Sequence, residues 1–254
     1  MAGAASQELD ALWIELDEVD STNAEAMRRA QAGSPGPLYI SANRQTAGRG
    51  RSGRPWQSSA GNLALSRLLT LDCPPMCVAQ LSLAAGVAVH EAACSALGEQ
   101  DVAHPLYLKW PNDILANGAK LAGILVEATS VGPQRIAIIG IGVNVLEAPG
   151  VSDRATVSLG DIAPGIESPR AFARRVAERL EALLALWDQG RGFDAIRERW
   201  IAAALPIGTA ISVNTGREVA TGTFAGLDPS GCLLLEDGGE RKVFTFGDVA
   251  LIPD

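Results

Sequence analysis

The chain has 254 residues, with 21 lysines and arginines against 29 aspartates and glutamates, a formal charge of -8 and 47% hydrophobic residues. That is enough apolar content for a full core in one large domain, or in one domain with a small appendage, and four cysteines in this length do not suggest a disulfide framework. No apolar run approaches the ~20 residues that span a membrane, and the acidic start (Glu8, Asp10, Glu15, Asp17, Glu18) lacks a basic, apolar, cleavable signal, so the cytoplasm is the expected compartment.

Residues 15–19 predict an opening strand that ends at Asp20-Ser21-Thr22-Asn23. Thr22 with Glu25 fits a capping box, and residues 24–32 then predict a helix stopped by Gly33. Strands are expected at 38–43 and 63–71, and an alanine-rich helix over 79–97 that ends at Gly98. Cys73 and Cys77 flank Pro74-Pro75, and only His90 and His104 could join them as nitrogen ligands; we read reduced, partly buried thiols and assign no metal-ligand set. Three apolar segments come next, 106–110, 121–128 and 135–145, separated by turns such as Pro111-Asn112-Asp113 and Asn117-Gly118. Ser168-Pro169 supplies an N-cap and a first helical residue for a helix over 170–187, and a further helix covers about 194–204. Pro206-Ile207-Gly208 marks a boundary. Beyond it, 209–213, 218–227, 232–236, 242–246 and 249–252 are strand-like, with compact turns and no helix, which reads as a small barrel. The expected fold is α+β: a mixed β-sheet domain with packing helices over 1–206, followed by a small C-terminal β-barrel over 207–254.

Residues 45–56, QTAGRGRSGRPW, set Arg49, Arg51 and Arg54 among glycines. From Ala26 to Leu71 there are seven arginines and no Asp, Glu or Lys, so the rest of the chain carries 14 basic against 29 acidic residues. Glycine-rich backbone can turn its N–H groups toward an anion, and arginine forks match phosphate or carboxylate oxygens. Charge held on one loop suggests a small anionic ligand, since nucleic acid more often recruits a broad basic face. Gly48, Gly50 and Gly53 satisfy G-x-G-x-x-G, with Asp72 beyond them, but a dinucleotide fold needs a helix after the loop. Pro55 and Gly61 interrupt the next segment, and residues 62–71 alternate like a strand, so that fingerprint is rejected. A Walker A ending is missing as well. On this segment alone a solvated hairpin loop stays open.

The other polar clusters fall at strand ends or turns, where catalytic groups tend to sit. They are Ser21-Thr22-Asn23, then Lys109-Trp110-Pro111-Asn112-Asp113 followed by Lys120-Leu121-Ala122-Gly123, and Asn144 after a very apolar strand. Each has an ordinary structural alternative: a helix cap, strand-edge lysines, turn-forming asparagines, core tryptophans at 56 and 110.

Together and in this order, DSTN, QTAGRGRSGRPW, KWPND, KLAGILVE and GIGVN resemble the biotin protein ligase (biotin–[acetyl-CoA carboxylase] ligase) family, from about Ile14 to the C-terminus. The resemblance implies an enzyme that joins the biotin carboxylate to the α-phosphate of ATP and passes the biotinyl group to one lysine of a biotin carboxyl carrier domain. It implies an SH3-like C-terminal barrel, with ATP, Mg²⁺ and biotin as ligands. Arg49, Arg51 and Lys120 are the residue types that screen a carboxylate from a polyphosphate. Ser21, Thr22, Asn23 and Gln45 suit the ureido ring, and Gly123 leaves room for the aliphatic stem. Gly48 and Gly50 let the loop order over a water-sensitive acyl-adenylate, with Trp56 as its lid. Asp113 is the candidate for orienting or deprotonating the acceptor lysine, and Asn112 and Asn144 for nucleotide or phosphate contacts. The family carries a basic residue near its last strand; Ile252 stands at that place here, and no site residue is assigned there.

A lipoate–protein ligase shares this chemistry but arranges its arginines and glycines differently. A biotin-sensing repressor would need a helix-turn-helix, for which the ~20 residues before DSTN are too few, so no direct DNA binding is expected. A non-catalytic biotin-binding sensor would have little use for Arg49, Arg51 and Lys120. Family members often dimerise through a sheet edge, which leaves a homodimer open.

Overall fold

The computed structural model describes residues 11–34, 36–98, 105–150 and 155–252; Glu8, Asp10 and His104 lie outside them. A seven-stranded mixed sheet runs in the order β1 (Leu12–Val19), β2 (Leu38–Gln45), β3 (Leu63–Leu71), β7 (Gln134–Val143), β6 (Ala119–Val131), β5 (Asp113–Ala116) and β4 (Leu106–Lys109). β1 and β2 are parallel, joined across helix α1 (Thr22–Gln31), and every other neighbouring pair is antiparallel.

Alternation along each strand decides which face meets which helix. Leu38, Ile40, Leu68, Ile136 and Ile138 form one small cluster with Ala26 and Ala30 of α1. Tyr39, Leu65, Ile139 and Ile141 turn to the opposite face, into the main core with α2 (Val78–Leu97), α4 (Pro169–Trp187) and α5 (Phe193–Ala202). Arg67, only 6% exposed on β3, is tolerated there because Glu181 of α4 accepts from its Nε and Nη2 at 2.6 and 3.2 Å, and this ties α4 to the sheet. Pro169 opens α4 as expected, with Ser168 Oγ accepting from Ala171 N.

Several expectations need correction. Thr22 and Glu25 form no capping box: Ser21 is the N-cap, and Thr22 N donates instead to Gln45 Oε1 at 2.8 Å, while Glu25 pairs with Arg28 and Arg29. Asp113 does not end a simple turn but opens β5, which is four residues long and so too short for its period to show. α3 (Leu159–Ile162), one turn closed by Ser158 and Asp161, was likewise not foreseen. The 23-residue segment Pro75–Leu97 contains an 18-residue window of mean hydropathy 1.4, long and apolar enough to cross a membrane, where the sequence showed no such run. It is apolar because 61% of that window is buried within the protein, between the sheet and the other helices.

β8 (Ala210–Asn214), β9 (Val219–Leu227), β10 (Leu233–Asp237), β11 (Glu240–Phe244) and β12 (Asp248–Leu251) make a second, antiparallel sheet ordered β11-β10-β9-β8-β12. Among the described residues no ladder joins β11 to β12. This sheet packs on the β4 and α5 side of the first: Trp110 Nε1 donates to Gly231 O at 3.0 Å and Arg197 Nε to Asp228 O at 2.8 Å.

Candidate active site

A cavity of about 720 Å³ opens on the sheet face that carries α1, beyond the N-terminus of that helix. Its floor arises from strand register. Ala64, Gly142, Gly123, Asp113 and Lys109 lie opposite one another across five adjacent strands, and Ser66, Gly140 and Leu125 form the next row. Glycine keeps this floor low. A Cβ at Gly140 would sit 2.5 Å from Asn23 Oδ1, one at Gly123 would sit 3.2 Å from Lys120 Nζ, and one at Gly142 would enter the Trp56 indole.

Regular alternation would send Lys120 and Gly123 to opposite faces. A register shift sets Ile114 against Ala122 but Leu115 against Lys120, so one residue is skipped and both Lys120 and Gly123 face the cavity. Lys109 Nζ then lies 2.9 Å from Asp113 Oδ2, and Lys120 Nζ pairs with Asp113 Oδ1. Burial raises the pKa of Asp113, but attraction to Lys109 and Lys120 outweighs it and holds the carboxyl below its ordinary value.

The opposite end of the cavity is lined by the uncharged polar side chains of Ser21, Thr22, Asn23 and Gln45. Thr22 N and Oγ1 both donate to Gln45 Oε1, at 2.8 and 3.1 Å. Ser66 Oγ lies 2.8 Å from Thr22 Oγ1 and 2.6 Å from Asn23 Oδ1, and Asn23 Nδ2 donates to Glu127 Oε2 at 2.7 Å. Ser21, Thr22, Asn23 and Ser66 are all buried, so their hydroxyl and amide groups hold fixed directions.

The arginine segment folds as a tight hairpin over this floor. Gly48 O accepts from Trp56 N at 2.9 Å and Gly50 N donates to Arg54 O at 2.7 Å. Gly48 does not itself line the cavity: a Cβ there would meet Trp56 O at 2.6 Å, so glycine serves the hairpin and not the ligand. Gly50 does line it, yet its Cβ position is uncrowded. Arg51 Nη1 donates to Asn112 Oδ1 at 3.2 Å and Nη2 to Gly247 O at 3.1 Å, while Asn112 Nδ2 donates to Ile124 O. Arg54 pairs with Asp248 at 2.7 Å, and half-exposed Arg49 lies 3.7 Å from Glu127. The Trp56 indole lies against Gly142 and Gly123, with Lys120 Nζ 5.8 Å from its ring; its Nε1 is buried without a partner. Asn144, 1% exposed, donates from Nδ2 to Val157 O at 3.1 Å, and its Oδ1 too has no partner.

Apart from Gly48, every site residue named from the sequence lines this one cavity. Sequence reasoning named Arg54 and Lys109 within its polar clusters without a role, and missed Asp248, which lines the cavity, and Ser66 and Glu127, which lie behind it as partners of Asn23. A lone serine inside the apolar run of β3 was the one signal available for Ser66. The second sheet also walls the cavity, through Asp248, Val249, Ala250 and Leu251, with Lys109 Nζ donating to Val249 O at 2.8 Å; Ile252 does not line it.

Residues 15–144 match the biotin/lipoate A/B protein ligase family, and residues 207–251 match the biotin protein ligase C-terminal domain. The chain is 38% identical over 242 residues to a biotin–[acetyl-CoA-carboxylase] ligase from Paracoccus denitrificans, covering 92% of this chain and 98% of that protein. It is 36% identical over 244 residues to the ligase of the same name from Mycobacterium tuberculosis, covering 93% and 89%. It is similar in structure to the biotin protein ligase from Aquifex aeolicus in complex with biotin and ATP, with a TM-score of 0.80 and 27% identity over 96% of this chain and 99% of that one. From its motifs, its two matched regions and its fold, the chain belongs to the biotin/lipoate A/B protein ligase family.

Proposed function

We propose that this chain is a biotin–[acetyl-CoA-carboxylase] ligase, which makes biotinyl-5′-AMP from biotin and ATP and transfers the biotinyl group to one lysine of a biotin carboxyl carrier domain. The observation that carries this is a single cavity with a fixed uncharged polar end at Thr22, Asn23 and Gln45 and a cationic end at Lys109, Lys120 and Arg51. A neutral ureido ring suits the first end. A carboxylate meeting a triphosphate suits the second.

In the first step a biotin carboxylate oxygen bonds to the α-phosphorus, the α–β bridging bond breaks and pyrophosphate leaves. Lys120 and Arg51, held in place before the reaction, offset the crowded negative charge, and half-exposed Arg49 adds to them from the hairpin. Gly123 and Gly142 keep the floor low beneath Trp56, so that the stem fits over them once the indole swings on its hairpin, and Trp56 then shields the acyl-adenylate from water. In the second step the carrier amine attacks the acyl carbon, the bond to the phosphate oxygen breaks, and AMP leaves, its phosphate taking up the proton that the amine nitrogen loses. Asp113, already holding two ammonium groups, is better suited to orient that amine than to take its proton. Magnesium travels with nucleotide phosphates and takes few protein ligands. The unpartnered Asn144 Oδ1 is an oxygen donor of the kind that would hold it, whereas both Asp113 oxygens are taken by lysines, and the ion would screen phosphate charge. Asn112 and Asn144 are then the nucleotide-side amides.

We take residues 1–206 as the catalytic domain and 207–254 as an SH3-like barrel, a reading supported by the five short antiparallel strands and the turn at Pro206. Reaction in the cytoplasm fits four free cysteines and dependence on ATP. The β1 edge, where Leu12 is 65% exposed, is the sheet edge open to a homodimer.

The deciding experiment measures transfer of labelled biotin to a purified carrier domain with ATP and Mg²⁺, by wild type and Lys120→Ala. Labelling by wild type and at least a ~100-fold loss in the variant is expected, the scale for removing a charge-stabilising group. Transfer of lipoate instead, or biotin binding with no transfer, would overturn the assignment.

A further inference from the structure

Asn62 immediately precedes β3 and lies outside the cavity lining, is 4% exposed, and has every hydrogen-bonding position of its side chain used. Its Oδ1 accepts from Val145 N at 2.9 Å and Glu147 N at 3.3 Å, while Nδ2 donates to Glu147 O at 2.8 Å and Ser59 Oγ at 3.2 Å. Next to it, Gly61 O accepts from Leu146 N at 3.0 Å. The chain that leaves β7 is therefore stitched, residue by residue, to the chain that enters β3.

What is stitched is a wall of the cavity. Pro149, Ala155 and Thr156 line it, and Thr156 Oγ1 donates to Pro149 O at 2.6 Å. The far side of this wall is bonded to the backbone of Lys120: Lys120 N donates to Ala155 O at 2.9 Å and Val157 N to Lys120 O at 3.1 Å. Leu159 N and Gly160 N close its base on Asn144 O and Val145 O. One end of the wall thus rests on Lys120 and the other on Asn62.

We infer that Asn62 is a positioning residue for adenylation, holding the Val145–Glu147 base so that the wall stays against Lys120 and covers the activated acyl group. The inference rests on the ligase reading of this cavity. Without the stitch, water reaches the acyl carbon of biotinyl-AMP, its bond to the phosphate oxygen breaks, and free biotin and AMP appear with no carrier labelled. Removing the Asn62 side chain leaves two N–H groups and one carbonyl without partners at the base of the wall. The polar end at Thr22 and Gln45 shares none of these bonds.

The test uses the full chain with Asn62→Ala and Asn62→Asp, measuring AMP formed per biotin transferred, KM for ATP, and binding of biotin alone by calorimetry. Asn62→Ala is expected to raise untransferred AMP and KM for ATP each by about tenfold, the scale of one or two lost buried hydrogen bonds. Biotin binding should change by less than about twofold. Asn62→Asp keeps the acceptor for Val145 N and Glu147 N but loses the donor to Glu147 O, so it should recover only part of the coupling. Unchanged coupling and KM with only a lower Tm would overturn the inference. So would a loss of biotin binding in step with the loss of ATP affinity. Hydrogen exchange at residues 145–147 of the ligand-free protein separates the two readings: it must rise in Asn62→Ala even if wild type proves to transfer no biotin, and protection equal to wild type would refute the stitch.

Discussion

Asp113→Asn isolates the charge arrangement on which the cationic end of the cavity depends. The Asp113, Lys109 and Lys120 side chains are 12%, 15% and 14% exposed, and the carboxylate bridges both ammonium ions. Asparagine keeps the shape and removes the charge, leaving two cations facing a partly desolvated space. Removing one partner of a buried ion pair costs about 3–5 kcal/mol. The cavity is open to solvent at its mouth, so the lower end applies, about 3 kcal/mol. In a chain of this length each kcal/mol moves Tm by roughly 2–4 °C, so Tm should fall by roughly 6–12 °C at pH 7. Saturating ATP should recover part of that loss, because the triphosphate supplies the missing anion, and its stabilising increment should exceed the one in wild type. The pH dependence has a definite sign. The folded carboxyl titrates below the ~3.9 of the unfolded chain, so its contribution is complete above about pH 5 and fades as pH falls through the lowered folded value. The gap between wild type and variant should therefore narrow toward pH 3. Scanning calorimetry at several pH values, with and without ATP, reads all of this. A Tm within about 2 °C of wild type at pH 7 would mean that Asp113 does not hold the two lysines against each other.

Gly142→Ala drives a methyl group into the Trp56 indole, which stands on a hairpin and can be displaced; ligand affinity should fall by about tenfold with little change in Tm, as titration with biotin and ATP would show. Asp248→Asn removes an anion that lies 2.7 Å from Arg54 and 3.7 Å from Arg51. All three side chains are exposed enough that stability should change by under ~1 kcal/mol, while KM for ATP falls about threefold because Arg51 no longer has a competing carboxylate. Burial lowers the pKa of His90, whose Nε2 faces Leu106 O at 3.2 Å, so the unfolded chain takes up a proton near pH 6.5 before the folded one does. Wild type should lose up to roughly 1 kcal/mol more stability than His90→Gln between pH 7.5 and 5.5 in urea titrations; equal losses would refute that assignment.

Much of this protein was legible without coordinates because the signals were local. Strand alternation gave nearly the observed bounds of β3 and of the five C-terminal strands, and Ser168-Pro169 announced α4. The arginines, glycines and lysines that line the cavity stood in short motifs whose order alone pointed to one family. What sequence could not reveal was set by register and by contacts across the sheet. The shift opposite Ile114 and Leu115 turns Lys120 to the same face as Gly123, and no local pattern encodes it. Gln45, 23 residues from Thr22, takes over the capping that Glu25 was expected to share, because β2 lies beside β1 and brings it to the helix N-terminus. Asp248 became a member of the site only through the docking of the second sheet, which brings it against Arg54. Local chemistry determined which groups the protein carries; the pairing of distant strands decided which of them face one another, because a single residue's slip in a strand exchanges its two faces.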